Sequence, residues 1–148
     1  MKDSPSVFSS EEFKKLTKKK VPVMTEKELT KQICAYIKEK YPNVYFFTDP
    51  SGMFQKSWAA KVMLKNNRSK HCQLDLIILE KNKEFSGLII ELKREGEKLL
   101  NKAEEYKTPH LREQFNSIEH LRRSGYYACF GTGLKEVEKI IEKYMSNR

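Results

Sequence analysis

Residues 72–94 read CQLDLIILEKNKEFSGLIIELKR. Two short apolar runs stand in this stretch, LDLIIL at 74–79 and GLIIEL at 87–92. Both are rich in β-branched and aliphatic residues, bounded by polar ones and too short for helices, so both are expected to be strands. Only the residues from Glu80 to Ser86 separate them, whereas a parallel crossover needs about a dozen residues or more, so the pair is expected to be antiparallel. Charge stands where a purely structural strand would carry none. Asp75 opens the first run, and Glu91 and Lys93 close the second. Side chains alternate faces along a strand, so Glu91 and Lys93 project from the same face. A register that sets Asp75 opposite Glu91 brings two carboxylates and an ammonium to one spot.

Upstream, Thr25 followed three residues later by Glu28 makes a capping box, and Leu29, Ile33, Ile37 and Tyr41 repeat at helical spacing until Pro42. Glu28 reads either as a cap alone or as an acid delivered towards the strands. VYFFT (44–48) is expected to be the first strand. Between Asp49 and Gln73 the cations are Lys56, Lys61, Lys65, Arg68 and Lys70 against the single acid Asp49. Phe54 and Trp58 interleave with them, a mixture found where aromatic faces meet bases; for Trp58 the reading preferred here is a core position on a short helix. Residues 1–24, with the lysine cluster KKLTKKK, read as a basic, loosely ordered arm ahead of a single domain at 25–148.

Downstream, EGEKLLNKAEEYKT (95–108) is charge-balanced and weakly helical, and is expected to form a surface excursion or lid. Pro109 suits a first helical turn, with Leu111, Phe115, Ile118 and Leu121 as the buried stripe, Gln114 beside it and Gly125 as the stop. YYACF (126–130) is expected to be the fourth strand, and Leu134 to Met145 the last helix. The predicted order is α-β-β-β-α-β-α, an α/β fold with a mixed four-stranded sheet flanked by helices. The long helical connection lets the last strand run parallel to its predecessor.

The net charge of +9 favours a polyanionic partner without choosing between DNA, RNA and an anionic membrane. Cys34, Cys72 and Cys129 lack the paired spacing of a zinc site, and a reducing cytosol suits them. No run is long and apolar enough for a membrane span, and no signal-peptide core is expected. His71, His110 and His120 share no metal-binding spacing, and nothing matches a phosphate-binding loop or a Ser-His-Asp set.

Asp, then Glu-x-Lys on the adjoining strand, is a spacing with a mechanism. Asp75 and Glu91 would offer hard oxygen ligands to Mg²⁺, together with the backbone carbonyl of Leu92 and retained waters. Such an ion activates water and polarises a phosphate. Lys93 would orient the nucleophile or stabilise developing charge, Glu28 would add a ligand through water, and Gln114 would position water or DNA. The bland alternative is a Glu91–Lys93 ion pair on an exposed strand, contributing under about 1 kcal/mol, which leaves Asp75 unexplained.

From Thr25 to Tyr144 this ordered set resembles the PD-(D/E)xK nuclease superfamily, and within it the VRR-NUC (virus-type replication-repair nuclease) family. The resemblance rests on the helix with Glu28, the Gly52 turn, the basic stretch, LDLIIL, GLIIELKR, the helix with Gln114 and the closing GYYACFGTGLKEVEKII. It departs at Leu74, where the family usually has proline. It implies a restriction-endonuclease-like core with Asp75, Glu91 and Lys93 as the catalytic motif and Glu28 and Gln114 in support. It also implies a Mg²⁺-dependent DNA endonuclease, with Mn²⁺ able to substitute, acting on branched or flapped DNA held by Lys56, Lys61, Lys65, Arg68, Lys70 and Arg94. A bacterial or phage-infected cytoplasm and a DNA-repair role are the expected setting, or a nucleus in a eukaryote. The alternatives are a Holliday-junction resolvase, which requires a symmetric homodimer, and a basic DNA-binding module without catalysis.

Overall fold

A computed structural model describes residues 22–49 and 57–148. Eight elements follow one another: α1 (Glu26–Lys40), β1 (Phe46–Thr48), α2 (Trp58–Asn66), β2 (Leu76–Ile78), β3 (Leu88–Lys93), α3 (Pro109–Arg123), β4 (Tyr127–Thr132) and α4 (Leu134–Ser146). The sheet has the order β1-β2-β3-β4. β1–β2 and β2–β3 are antiparallel and β3–β4 is parallel, so the expected mixed α/β sheet is present. The expected element order lacked one member, the helix α2 between the first two strands.

The periodicities explain the layers. All six residues of β3 are buried, as befits a central strand covered on both faces. Its even-numbered residues Leu88, Ile90 and Leu92 join Leu76 and Ile78 against Leu29, Ile33 and Ile37 of α1 and Val137, Ile141, Tyr144 and Met145 of α4. The odd face carries Ile89 with Ala128, packed on Ile118 of α3 and on Leu74. Leu74, the departure from proline, is therefore a core residue. Glu91 and Lys93 belong to this second face, beneath α3.

Side-chain caps set the helix starts. Thr25, Ser57 and Thr108 each accept a backbone N–H from the third residue on, and Pro109 sits in the first turn of α3. Gly125, at φ 88°, follows the end of α3. The β2–β3 hairpin is tied to α4, whose Tyr144 hydroxyl donates to the Glu80 carbonyl at 2.6 Å.

One further expectation is corrected. Trp58 is not a core residue: it is 80% exposed, because α2 rests on half-buried Ala60, Val62 and Leu64 and buries no residue fully. Residues 95–108 form the expected surface excursion, but without helix: the segment turns back on itself with a bridge from Leu100 to Tyr106, where the Asn101 side chain accepts the N–H groups of Ala103 and Glu105 and so competes with helix. Most of the N-terminal arm (1–21), Lys56, Phe54 and the Gly52 turn lie outside the described residues.

Candidate active site

The antiparallel register pairs Leu76 with Ile90, so one step further out Asp75 faces Glu91. On its other edge Asp75 still continues the β1–β2 ladder, its carbonyl accepting the Asp49 N–H at 3.0 Å. The Asp75 side chain then takes over from the ended strand β2: its Oδ2 accepts the Leu92 N–H at 2.8 Å. In an extended strand the N–H and C=O of one residue point to the same neighbour. The Leu92 carbonyl therefore faces the same edge as the Asp75 carboxylate.

Glu91 is 3% exposed and Lys93 6%, with Lys93 Nζ 3.0 Å from Glu91 Oε1. The bland reading assumed an exposed pair; this one is buried, where an ion pair must overcome a desolvation cost of several kcal/mol. From α3, Gln114 Nε2 also donates to Glu91 Oε1 and lies 3.2 Å from His110 Nε2. Glu91 Oε2 and Gln114 Oε1 are buried and accept no hydrogen bond among the described residues, a pattern that calls for an explanation. Glu91 shares a carboxyl–carboxylate hydrogen bond with Asp75 when it carries a proton; ionised, it leaves Oε2 without a donor.

The electrostatics agree. Burial, then the adjacent Asp75 charge, push the Glu91 carboxyl up to about 8, with Lys93 opposing. Burial likewise raises Asp75, held back by the Leu92 N–H and Lys93 and pushed on by Glu26. Cys72 sits within reach of the same charges, and burial with Glu91 next raises its thiol; a thiol kept protonated is a poor nucleophile.

The expected residues are thus placed unevenly. Asp75, Glu91, Lys93 and Gln114 converge. Glu28 is exposed and its N–H serves the Thr25 cap at 3.2 Å, while the acid of α1 whose charge reaches Asp75 is Glu26. Sequence contained the signal: Glu26, itself exposed, lies three residues before Leu29 and seven before Ile33, in line with the buried stripe, whereas the capping box points to Glu28. His110 is the other residue missed; it precedes Gln114 by one helical turn. Arg68 pairs with Asp49, next to Asp75 in the ladder. Lys61, Lys65 and Lys70 are exposed, and Arg94 reaches Glu97 at 3.9 Å. His71 stacks on His120, ring centroids 4.4 Å apart.

Among the described residues no three His, Cys, Asp or Glu side chains group closely enough to hold a metal ion. The hard-oxygen set consists of two carboxylates and the main-chain oxygen of Leu92, which suits an ion that retains several waters. No described helix is long and apolar enough to cross a membrane.

No family model matches the sequence, and no curated protein matches it. The fold is similar to that of a solved structure described as a "VRR_NUC domain protein", at 24% identity and a TM-score of 0.63, covering 86% of this chain and 93% of that one. The mixed four-stranded sheet and its flanking helices are thus shared with the fold of that VRR_NUC domain protein.

Proposed function

We propose that the chain is a metal-dependent deoxyribonuclease that hydrolyses phosphodiester bonds at Asp75, Glu91 and Lys93. One observation carries the reading above all: Glu91 is buried beside Asp75, and once it is ionised its Oε2 has no donor among the described residues, an arrangement unfavourable for folding alone and suited to a divalent cation. The described neighbour is named as a VRR_NUC domain protein, which supports a nuclease and, through it, a DNA substrate.

Asp75, Glu91 and the Leu92 carbonyl would hold Mg²⁺, with Mn²⁺ able to replace it, and Glu26 would contribute through water in the part expected of Glu28. A cation bound there neutralises phosphate charge and lowers the pKa of water. The chain does the rest. Asp75 is oriented by the Leu92 N–H, and Glu91 is aimed by Gln114 and Lys93. Lys93, a buried ammonium two residues from Glu91, can orient the attacking water or stabilise charge on the phosphate oxygens. His110, hydrogen-bonding distance from Gln114, fixes the amide. Loading the site requires Glu91 to release the proton that burial makes it retain. The substrate proposed is branched or flapped DNA, in a bacterial or phage-infected cytoplasm.

Asp75→Asn and Glu91→Gln should each lower cleavage of a labelled flap or junction in Mg²⁺ by about 10³-fold or more, since each removes several kcal/mol of charge stabilisation. DNA binding in EDTA should persist. Cleavage that survives both changes, or that ignores EDTA, would sink the reading and favour a basic binding module. Calorimetry with Mn²⁺ should show binding that Asp75→Asn weakens. A strict monomer on junction DNA would set the resolvase alternative aside.

A further inference from the structure

The helix α2 has no role in the core and none in the metal site. It contains no acid, begins with the exposed Trp58, and carries Lys61 and Lys65. At about 100° per residue, positions 58, 61 and 65 fall within about 60° of one another on the helix surface. Half-buried Ala60 and Leu64 lie on the opposite side, and half-buried Val62 stands at the edge of the outward face, about 40° from Trp58. The helix therefore rests on small and aliphatic side chains and turns an indole and two ammonium groups outward together. Beyond it, Arg68 and Lys70 extend the positive charge without an intervening acid. Arg68 pairs with Asp49, whose N–H is bonded to the Asp75 carbonyl, so the basic segment is tethered beside the proposed catalytic acid.

A tryptophan that is 80% exposed gains nothing for folding. An exposed aromatic face flanked by cations on one side of a helix is what an unstacked base requires: the ring stacks, and the ammonium groups meet the phosphates on either side. A duplex offers such a ring no free base face except at its two ends. We propose that Trp58, with Lys61 and Lys65, is a stacking platform for an unpaired nucleotide, holding the single-stranded part of a substrate next to the site at Asp75. This deepens the proposed function and rests on its nucleic-acid half, though not on catalysis.

The chain contains one tryptophan, so its intrinsic emission reports on this residue alone. The full chain in EDTA is titrated with an oligothymidylate, and with a blunt duplex of the same length, while anisotropy of a labelled strand records binding. Trp58 emission should be quenched by the single strand in step with binding, and much less by the duplex. Trp58→Ala should weaken single-strand binding about 10-fold or more, as loss of one base–aromatic stack does; Trp58→Phe should restore most of it. Unchanged emission at saturation, or wild-type affinity in Trp58→Ala, would overturn the platform while leaving the nuclease reading standing. Emission that shifts with protein concentration alone, or with anionic vesicles and not with the oligonucleotide, would assign the face to a second copy or to a lipid surface and likewise overturn it. If no oligonucleotide binds, platform and nuclease reading fall together. Quenching by a chain that cleaves nothing would uphold the platform and defeat the nuclease.

Discussion

Glu91 is an acid almost sealed from water, and its pKa near 8 makes a prediction independent of any substrate. In the unfolded chain the same group titrates near its ordinary value of 4.5. Below that pH both states are protonated and Glu91 does not affect stability. Between the two values the folded state keeps a proton that the unfolded state has lost, so stability falls as pH rises through the window. Integrated across it, the loss is on the order of a few kcal/mol; the raised Asp75 carboxyl acts in the same direction. The metal-free protein should therefore melt at progressively lower temperature from pH 5 to pH 8. Glu91→Gln, which cannot ionise, should flatten most of that slope, and Mg²⁺ should raise the melting temperature chiefly at the alkaline end. An unaltered slope in Glu91→Gln would show that burial is not what holds the proton. Asp75, Glu91 and Lys93 were legible in the sequence because a strand alternates strictly and charge in an apolar run stands out. Trp58 was not, since an indole among Ala, Val and Leu reads as core until it is known that no layer covers it.

At the scale of elements, the strands and three of the helices follow from local chemistry, and their boundaries shift only slightly from those expected. Gly131 shows where local reading stops. In sequence it stands just past the expected strand YYACF; in the structure it lies inside β4, where a β-carbon would come within 2.7 Å of Val137 Cγ2 and 2.9 Å of Ile90 Cγ2. The missing side chain lets α4 and β3 approach, a requirement made in part by Ile90, remote in the chain. Gly131→Ala should accordingly destabilise the protein by about 1–3 kcal/mol, the usual result of overpacking a tight core, visible as a lower denaturation midpoint with an unchanged m-value. A neutral result would mean that α4 can move away at no cost. Residues 95–108 teach the opposite lesson. Their composition permits helix, but Asn101 takes two backbone N–H groups and folds the segment back. Asn101→Ala should speed hydrogen exchange at Ala103 and Glu105 and leave the sheet untouched.

For the molecule as a whole, the charge of +9 acts through its distribution. On the α1–α4 side acids offset the cations: α1 carries Lys27, Lys31, Lys38 and Lys40 with Glu26, Glu28 and Glu39 among them, and α4 carries Lys135, Lys139 and Lys143 with Glu136, Glu138 and Glu142, Lys40 being paired with Glu142. Lys61, Lys65 and Lys70 take part in no ion pair among the described residues, and they follow one another along the segment that leads to Asp75. Unmatched charge in one region steers a polyanion, whereas the same charge spread evenly would only keep the chain soluble. Phosphate contacts release counterions, so affinity should fall linearly with salt on logarithmic axes, by about 0.7 in slope for each contact on a single strand. Changing Lys61 and Lys65 together to Ala should therefore reduce the slope by roughly 1.4, twice that value. Glu91→Gln, deep in the site, should leave the slope as it is. Binding measured in EDTA across a range of KCl decides the matter. Equal slopes for wild type and the double variant would mean that the polyanion docks elsewhere, and that the basic segment before Asp75 is solvated surface instead of the approach to the catalytic acids.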